Sequence, residues 1–564
     1  MKSPSTRPVS PPVSVLLVGP YDPHCGEYTF LAPPLGVWRL KGVLQAARVH
    51  AEVFDPNCCS GCPAAAFDAI LAQQRWDVVG VSTTGMTLRY DLALAHQARR
   101  HLPNAILVAG GMEATFKPQL MFDTGPFDLV ALGEGERPLL ALAERLRGGQ
   151  ELHDLPGTAE VTPDGKLVRH LQVALDPDEM RDAIFKTPYD EMPYRAYWEK
   201  LEAAYRVGKL PVKADREARL AEIRSVRLNT LNYCPMGCSF CSSTNFLHAA
   251  QGGTARIRRL SADDCLAMVR RIVAAHPDVR TVIFQDDIFV FTSDDRILPL
   301  CAGLVAAKAS GDLPHDLQFI STNRIDAMTP ERLAAMRRAG FRVLGFGVES
   351  FSPAILQEFN KARIAPYISP NLTTALELGI TPFLDLILTS PRCTLGSLAE
   401  TIRAAYEWLL AGCEMGMYPY VIPFSGALMA ADATLEEHTV FATHPIEGTD
   451  LELRQPAKIL PVEADVRTVI LAMEAEYLEW LRFLDAEVAH LPSRIRSLVW
   501  IICAARILPV YGEAAPQRAE VVEQLLRRLP GLDALGQARV RRFARRTAGG
   551  DGVSRHARAA RIAV

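Results

Sequence analysis

The 564-residue chain has no apolar stretch long enough to cross a bilayer. Its longest, about Leu498 to Tyr511, is interrupted by Arg506 and falls short of the roughly 20 residues a spanning helix needs. Net charge is almost absent, −3 from 61 basic and 64 acidic residues, so nothing pulls the chain as a whole toward nucleic acid or an anionic membrane. The segment Met1 to Pro12 is polar and rich in Pro and Ser; it lacks the apolar core of a secretory signal and reads as a disordered tail. With no such signal, the 12 cysteines suit metal or redox use in a reducing compartment better than a disulfide framework. The expectation is a cytoplasmic protein with no membrane and no nucleic-acid partner. No solenoid-type repeat is present. The 49% hydrophobic and 22% charged fractions are ordinary for a globular protein. The length predicts three or four domains, since single cores stop growing at roughly 250–300 residues.

What is present is a cysteine cluster in the run Asn232-Tyr-Cys-Pro-Met-Gly-Cys-Ser-Phe-Cys-Ser. Cys234, Cys238 and Cys241 have C-x₃-C-x₂-C spacing, which can hold three irons of a 4Fe–4S cluster and leave the fourth without a protein ligand. An open metal position is where a substrate or cosubstrate binds, by the logic that separates catalytic from structural zinc sites. The next cysteine, Cys265, falls inside a predicted helix. A zinc ribbon would need a second CxxC-type pair at suitable spacing, and none follows. Chance clustering is the remaining alternative, since Cys58, Cys59 and Cys62 form a second group whose default reading is a reduced surface loop.

Around the cluster motif the pattern is α/β. Residues 13–150 alternate apolar strands (Val13–Gly19, Ala51–Asp55, Asp77–Ser82, Ala105–Gly111, Asp128–Gly133) with helices such as Leu35–Ala47 and Glu136–Leu146. This alternation predicts a doubly wound parallel sheet, Rossmann-like, with ligands beyond the carboxyl ends of its strands. Those ends read Ser82-Thr83-Thr84-Gly85, Gly110-Gly111-Met-Glu and Gly133-Glu134-Gly135-Glu136; small residues there let a ligand approach the backbone, although glycines are also ordinary turn chemistry. Residues 151–222 have weak periodicity and read as a linker with short helices. From 223 to about 430 six strand–helix units follow (strands near Ser225–Thr230, Thr281–Gln285, Leu317–Ser321, Val343–Val348, Thr381–Leu388 and Met415–Val421; helices from near Ser261, Thr292, Thr329, Ser352, Tyr367 and Leu395). Six units make a partial (β/α) barrel, with the cysteines after its first strand, at the face where barrels keep their chemistry. Residues 431–564 read as helical, with Val466, Ile470, Met473, Tyr477, Trp480 and Leu484 on one face. The end of the chain carries Arg539, Arg541, Arg542, Arg545, Arg546, Arg555, Arg558 and Arg561, a solvated basic end in the simplest reading.

A cluster motif after the first strand of a partial barrel, preceded by a doubly wound domain, resembles the cobalamin-binding radical S-adenosylmethionine enzymes, in particular methyltransferases. The match covers residues 13–150 and 223 to about 430. The resemblance implies a 4Fe–4S cluster on Cys234, Cys238 and Cys241, whose open iron chelates S-adenosylmethionine. It also implies cobalamin as methyl carrier, and a 5′-deoxyadenosyl radical that takes hydrogen from an unactivated carbon of a small molecule. It places S-adenosylmethionine against Phe240, Asp286, Ser321, Asn323, Arg324 and Glu349, with Asp287 beside Asp286; each polar residue could instead cap a loop. It places cobalamin against Ser82, Thr83, Thr84, Gly110, Gly111, Gly133, Glu134 and Gly135, with Pro33-Pro-Leu-Gly-Val37 as an amino-terminal signature. Members with a histidine ligand to cobalt carry D-x-H-x-x-G after the first strand. Here Asp22-Pro-His24-Cys-Gly26-Glu27 fails at the last glycine, which implies an open lower cobalt face and an ordinary loop histidine. Tyr418, Tyr420 and Ser425 are candidates for substrate contact, and an external one-electron donor of the flavodoxin or ferredoxin type is implied. Within the resembled family, oxidative cyclisation, ring rearrangement and a polar methylation without the adenosyl radical remain alternatives; outside enzymes, a cobalamin sensor does.

Overall fold

The computed structural model describes residues 13–24, 31–210, 212–488, 491–529 and 532–548. The expected tail 1–12 and Arg555, Arg558 and Arg561 lie outside the described residues.

The first sheet starts from β1 (Ser14–Val18), whose five residues are all buried, as a strand covered on both faces of a parallel sheet must be. Its side chains alternate. Leu16 and Val18 pack with Phe67 and Leu92 on one face; Val15 and Leu17 pack with Val37 and Leu139 on the other. With β2 (His50–Phe54), β3 (Val78–Thr83), β4 (Ile106–Gly111), β5 (Leu129–Ala131), β6 (Thr158–Val161) and β7 (Leu167–His170) it gives the order β2-β1-β3-β4-β5-β6-β7. The first five strands are parallel, and the strand order reverses between β1 and β3, the place where such sheets bind ligands.

The strands β6 and β7 pair antiparallel at the edge of this sheet, in the stretch expected to be linker. The signal was local: two short alternating runs flank Thr162-Pro-Asp-Gly165, a turn sequence with a mechanism.

The second sheet comprises β8 (Ser225–Leu228), β9 (Thr281–Phe284), β10 (Gln318–Asn323), β11 (Phe341–Glu349), β12 (Thr381–Ile387) and β13 (Glu414–Tyr418). They run in sequence order, all parallel, so the six-unit partial barrel is present. Its helices begin where their caps say they should. Ser261 accepts from the Asp264 amide, and Thr329 from Arg332 with Pro330 in the first turn. The helix expected near Thr292 begins instead at Ile297. Asp294 takes the Arg296 amide at 3.0 Å and its Nε at 3.3 Å, both groups buried, which holds the preceding turn out of the helix.

The carboxyl-terminal part is not wholly helical. It includes an antiparallel hairpin, β14 (Thr439–Pro445) and β15 (Glu452–Ile459); among the described residues four α-helices follow it. Val466, Ile470, Met473, Trp480 and Leu484 are core, and Tyr477 stacks on Trp500 at 4.1 Å. The helix Ser493–Ile507 is buried almost throughout and covers the β13 edge, with Ser497 Oγ donating to Met415 O at 2.8 Å. Arg539 and Arg541 form surface ion pairs with Glu487 and Glu523. Among the described residues no helix is long and apolar enough to cross a membrane.

The helix Leu35–Ala46 packs so closely against the end of the helix Pro177–Lys186 that a Cβ at Gly42 would stand 2.0 Å from Lys186 O, whereas at Gly36 it would meet nothing within 4 Å. Gly42→Ala should therefore destabilise by about 1–3 kcal/mol through overpacking. Gly36→Ala should be neutral or slightly stabilising, since alanine is the better helix former by about 0.5–1 kcal/mol. Urea midpoints of the two variants against wild type check the difference.

Candidate functional site

The cysteine loop leaves β8 under a buried clamp. Asp286, at the end of β9, takes the amides of Thr230 and Leu231 on Oδ1 at 2.6 and 2.7 Å, and the Thr230 hydroxyl on Oδ2 at 2.6 Å. Arg296 donates to the same hydroxyl at 2.9 Å. Further along, Asn232 accepts from the Arg258 amide at 2.8 Å, and Tyr233 Oη donates to Ala255 O at 2.6 Å. Gly237 turns at φ +66 with its carbonyl held by Asn360 at 2.9 Å. Ser239 Oγ donates to Glu358 O at 2.7 Å. Every stretch of the loop is thus fastened to a neighbouring barrel element, and Cys234, Cys238 and Cys241 project from it half-buried.

Two observations test what these thiols can hold. Burial pushes Cys234 up to about 12 and raises Cys238, so a positively charged group must take the protons' place for the thiolates to form. Among the described residues only Asp154, Glu160 and His170 bring ligand atoms from three residues all within 4.8 Å of one another. At least one pair of the three sulfurs is therefore more than 4.8 Å apart, wider than the roughly 3.8 Å that a single tetrahedral ion at Zn–S of about 2.3 Å would impose. Half-buried thiols that are not drawn together about one ion, with no fourth cysteine in the loop, fit a multi-iron cluster with one iron open. Cys265 is fully buried inside the helix Ala262–Ala275, as its position in the sequence predicts.

The structure does not bring all the expected cosubstrate residues to the mouth. Both oxygens of Asp286 are spent on the loop clamp, so its role is to position the cysteines; its neighbour Asp287 is the exposed one, acting electrostatically on Cys234. Ser321 and Asn323 stand in register with Leu344 and Phe346, on the face packed in the core with Leu333 and Met336. Asn323 Nδ2 donates to Ser321 O and Oγ, both at 3.0 Å. A strand alternates with period two, so the residue between them, Thr322, in register with Gly345, takes the inner face. Arg324 acts on Cys238 and Cys234 electrostatically and is held by Asp326 through two bonds of 2.7 Å. Phe240 packs edge-on against Phe359 at 4.9 Å.

Glu349 shares the strand parity of Gly345 and Gly347, and a local irregularity sets its final direction. The β11–β12 register shifts between Gly347 and Glu349, and Glu349 takes a left-handed φ of +63; a bulge re-aims a side chain in this way. Its carboxylate meets Lys361 Nζ at 2.9 Å, both side chains about nine-tenths buried. A Cβ on Gly347 would lie 2.6 Å from Glu349 Oε1 and 3.0 Å from Lys361 Nζ, so only glycine leaves room for the pair. Below it, Asp385 is in register with Gly347 and Gly416; burial, with Glu349 nearby, pushes its carboxyl up to about 7. Lys361 and Asp385 were not singled out from the sequence. A buried charge in an apolar strand, such as Asp385 in Phe383-Leu-Asp-Leu-Ile387, was the available signal.

Of the substrate candidates, Tyr418 is half-exposed and faces Asp385 and Glu349 electrostatically. Tyr420 is buried, donating to Glu474 at 2.7 Å with Lys458 over its ring, so it ties the hairpin to the helix Ala464–Glu487 instead. Ser425 donates to Glu113 at 2.8 Å, and next to it Gly426 leaves room for Phe116; this is where the first sheet's domain docks on the barrel.

Between the two sheets lies a cavity of about 380 Å³. Ser82, Gly110, Gly111, Gly133, Glu134 and Gly135 line one wall; Asn229, Leu231, Asn232 and Phe246 line the other. Gly111 (φ +97) and Gly133 (φ +72) require glycine twice over, since a Cβ would stand 2.5 Å from Thr83 O and from Ala250 Cβ. Thr83 and Thr84 are not in the lining. Thr83 Oγ1 donates to Gly110 O at 2.9 Å and accepts from the Ala114 amide, and Thr84 pairs its hydroxyl with Thr87; both brace the strand end. Glu134 accepts from the Leu175 amide at 2.7 Å, and burial beside Glu136 pushes it up to about 7. Asn229 Oδ1 is buried without a hydrogen-bond partner. An unpaired polar atom over a glycine-lined wall fits a flat polar-edged ring such as a corrin. His24 is hydrogen-bonded to Tyr90 at 3.1 Å and does not line the cavity. Cys58, Cys59 and Cys62 are free thiols after β2.

Residues 23–143 match the B12 binding domain family and residues 228–405 the radical SAM superfamily. The chain is 24% identical over 332 residues to an uncharacterized methyltransferase of Pyrococcus horikoshii, covering 58% of this chain and 64% of that protein. It is 24% identical over 395 residues to the cytidylyl-2-hydroxyethylphosphonate methyltransferase of Streptomyces wedmorensis, covering 66% of each. These alignments span just under two thirds of the relatives' own length. Among solved structures, the cobalamin-dependent S-adenosylmethionine radical enzyme OxsB with aqua-cobalamin bound superposes with TM-score 0.65 at 15% identity, over 97% of this chain and 81% of that one. The methyltransferase TsrM from Kitasatospora setae, with cobalamin and a [4Fe-4S] cluster, gives 0.56 at 16% identity, over 80% of this chain and 83% of that one.

A pH dependence follows from the strand-end bracing. Asp91 is fully buried and accepts from the Tyr21 amide, the Thr84 amide and the Thr87 hydroxyl. Burial nevertheless raises its carboxyl from 3.8 to about 8. With the folded value above the unfolded one, its contribution is fully present below about pH 4 and is lost as pH rises toward 8. Asp91→Asn should flatten stability against pH across that window, measured by urea midpoints at a series of pH values; an unchanged slope would count against the assignment.

Proposed function

Because the chain belongs to the cobalamin-binding radical S-adenosylmethionine enzymes, we propose that it is a methyltransferase moving a methyl group from S-adenosylmethionine to an unactivated carbon of a small molecule. The observation that carries this reading is a shared wall. Asn229, Leu231 and Asn232 line the glycine-floored cavity, and the same segment runs directly into Cys234, so one stretch of chain serves both the cavity and the cysteine loop. The methyltransferase relatives favour methyl transfer over cyclisation.

When bound, the cluster, S-adenosylmethionine and cobalamin supply the one-electron and methyl-carrying chemistry that no side chain here provides. The protein's share is holding, orienting and shielding. Cys234, Cys238 and Cys241 would hold the cluster, and with no fourth cysteine in the loop one iron would stay open to the cosubstrate. Asp287 and Glu349 present carboxylates to its ammonium and ribose hydroxyls; Phe240, seated on Phe359, fixes the loop backbone beside the adenine. Ser82, Gly110, Gly111, Gly133 and Gly135 offer backbone to the corrin, with Asn229 Oδ1 accepting from its amide rim. Leu231 and Phe246 add apolar surface to the cavity wall, which helps to exclude water. Asp385, with a carboxyl poised near 7, can hold a proton at Oδ1 facing Tyr418, where the substrate's polar group would sit. An external one-electron donor of the flavodoxin or ferredoxin type is the partner in this scheme.

Product analysis under strict anoxia tests it. Protein reconstituted with iron, sulfide and cobalamin should form 5′-deoxyadenosine and S-adenosylhomocysteine in comparable amounts when its substrate is supplied. Deoxyadenosine alone would replace methylation by another radical reaction, and S-adenosylhomocysteine alone would indicate a polar route. Cys238→Ala should keep its far-ultraviolet dichroism, lose the cluster's visible absorbance, and lose S-adenosylmethionine cleavage by more than a hundredfold.

A further inference from the structure

A buried lysine beside an iron-ligating thiol has electrostatic consequences that no sequence motif announces. Lys361 follows the helix Pro353–Glu358 and turns back into the barrel, with 9% of its side chain exposed. A lysine is almost never buried unless paired, and this one is held on three sides. Nζ donates to Glu349 Oε1 at 2.9 Å and to the Gly347 carbonyl, and the Phe240 ring lies 6.0 Å away. After the cost of burial, Glu349 and the Cys238 sulfur are the two groups acting most strongly on its charge. Arg324 also acts on Cys238, and is ion-paired with Asp326 through two bonds. Lys361 is different: its partner Glu349 is itself expected to turn toward cosubstrate, and Glu349 keeps its left-handed backbone in contact with this ammonium.

Resting on the reading of Cys234, Cys238 and Cys241 as cluster ligands, we propose that Lys361 is a positioning residue that sets the cluster's reduction potential and holds Glu349 in its strained conformation. Reduction adds one electron, drawn from an external low-potential donor, to a cluster already negative with its thiolates. A fixed positive charge in a buried site lowers the energy of that added electron, and the potentials of such clusters are set in part by net charge and surroundings. Glu349 opposes the effect, so the two residues pull in opposite directions.

The test is a redox titration of the reconstituted protein without cosubstrate, followed by electron paramagnetic resonance, with dithionite as donor. Lys361→Met should make the cluster harder to reduce by at least tenfold in the reduced-to-oxidised ratio at fixed potential, about 59 mV for one electron. Glu349→Gln, which leaves the ammonium uncompensated, should shift it the opposite way. Lys361→Arg, which keeps the charge, should stay within about threefold of wild type. Equal iron content across the variants establishes that the cluster is loaded; if Lys361→Met loads poorly, the sign of the Glu349→Gln shift decides. Unchanged potentials, or Lys361→Met and Glu349→Gln shifting the same way, would overturn the proposal. A wild-type protein that takes up no cluster would instead defeat the functional reading on which it rests.

Discussion

The clamp at the end of β8 is the constraint on which the site depends. One carboxylate, Asp286, takes two successive amides and a hydroxyl, and Arg296 closes the network from the far side. Those bonds fix the direction in which the chain leaves the barrel strand. The same few residues form the cavity wall at 229–232 and then carry the cysteines, so a single geometric decision sets both the cavity wall and the cysteine loop. Burial raises the Asp286 carboxyl to about 6, a measure of how strongly the surroundings resist its charge; the three donors and Arg296 offset that resistance. A buried carboxylate that leaves no donor unmatched specifies one conformation of a loop that has no regular structure of its own.

Much of the architecture was legible, and for a physical reason. Parallel strands buried on both faces must be apolar throughout, and Val13–Val18 or Thr281–Phe284 can hardly be read otherwise. Thr329-Pro330 announces a helix start that the structure places at the same residue. The hairpins β6–β7 and β14–β15 were harder to see. Edge strands half open to solvent mix polar and apolar residues, and β7 shows only Leu167-Val-Arg-His170, with no buried position.

The site was legible at the level of the loop and less so at the level of the side chain. Ser321 and Asn323 look like ligand contacts because they are polar at a strand end, yet strand parity puts them on the helix-packed face in register with Leu344 and Phe346. A one-residue error in assigning the facing residue sends every prediction on a strand to the wrong side, and the same slip separates Asp286 from Asp287. Glu349 keeps the parity of Gly345 and Gly347, and a register shift with a left-handed backbone sets its direction at the strand end. Thr83 shows a further confusion: a threonine at the tip of a strand facing a cofactor can be wholly occupied with holding the turn.

Glycine placement gives the deeper link between the two domains. On the first sheet, Gly111 and Gly133 bare the backbone toward the cavity; on the barrel's inner face, Gly345, Gly347 and Gly416 do the same below the cysteines. Glycine weakens a strand by roughly 0.5–1 kcal/mol relative to alanine, and a barrel interior is ordinarily filled by branched side chains. Here the filling is absent on neighbouring strands, and polar groups stand around the space: Asp385, Tyr418 and the Lys361–Glu349 pair. The helix Ser493–Ile507 closes the sheet edge at β13 that a complete barrel would close with two further units. Stability is thus supplied from the outside of the partial barrel, by the carboxyl-terminal helices, and its inside is left free to shape a binding space.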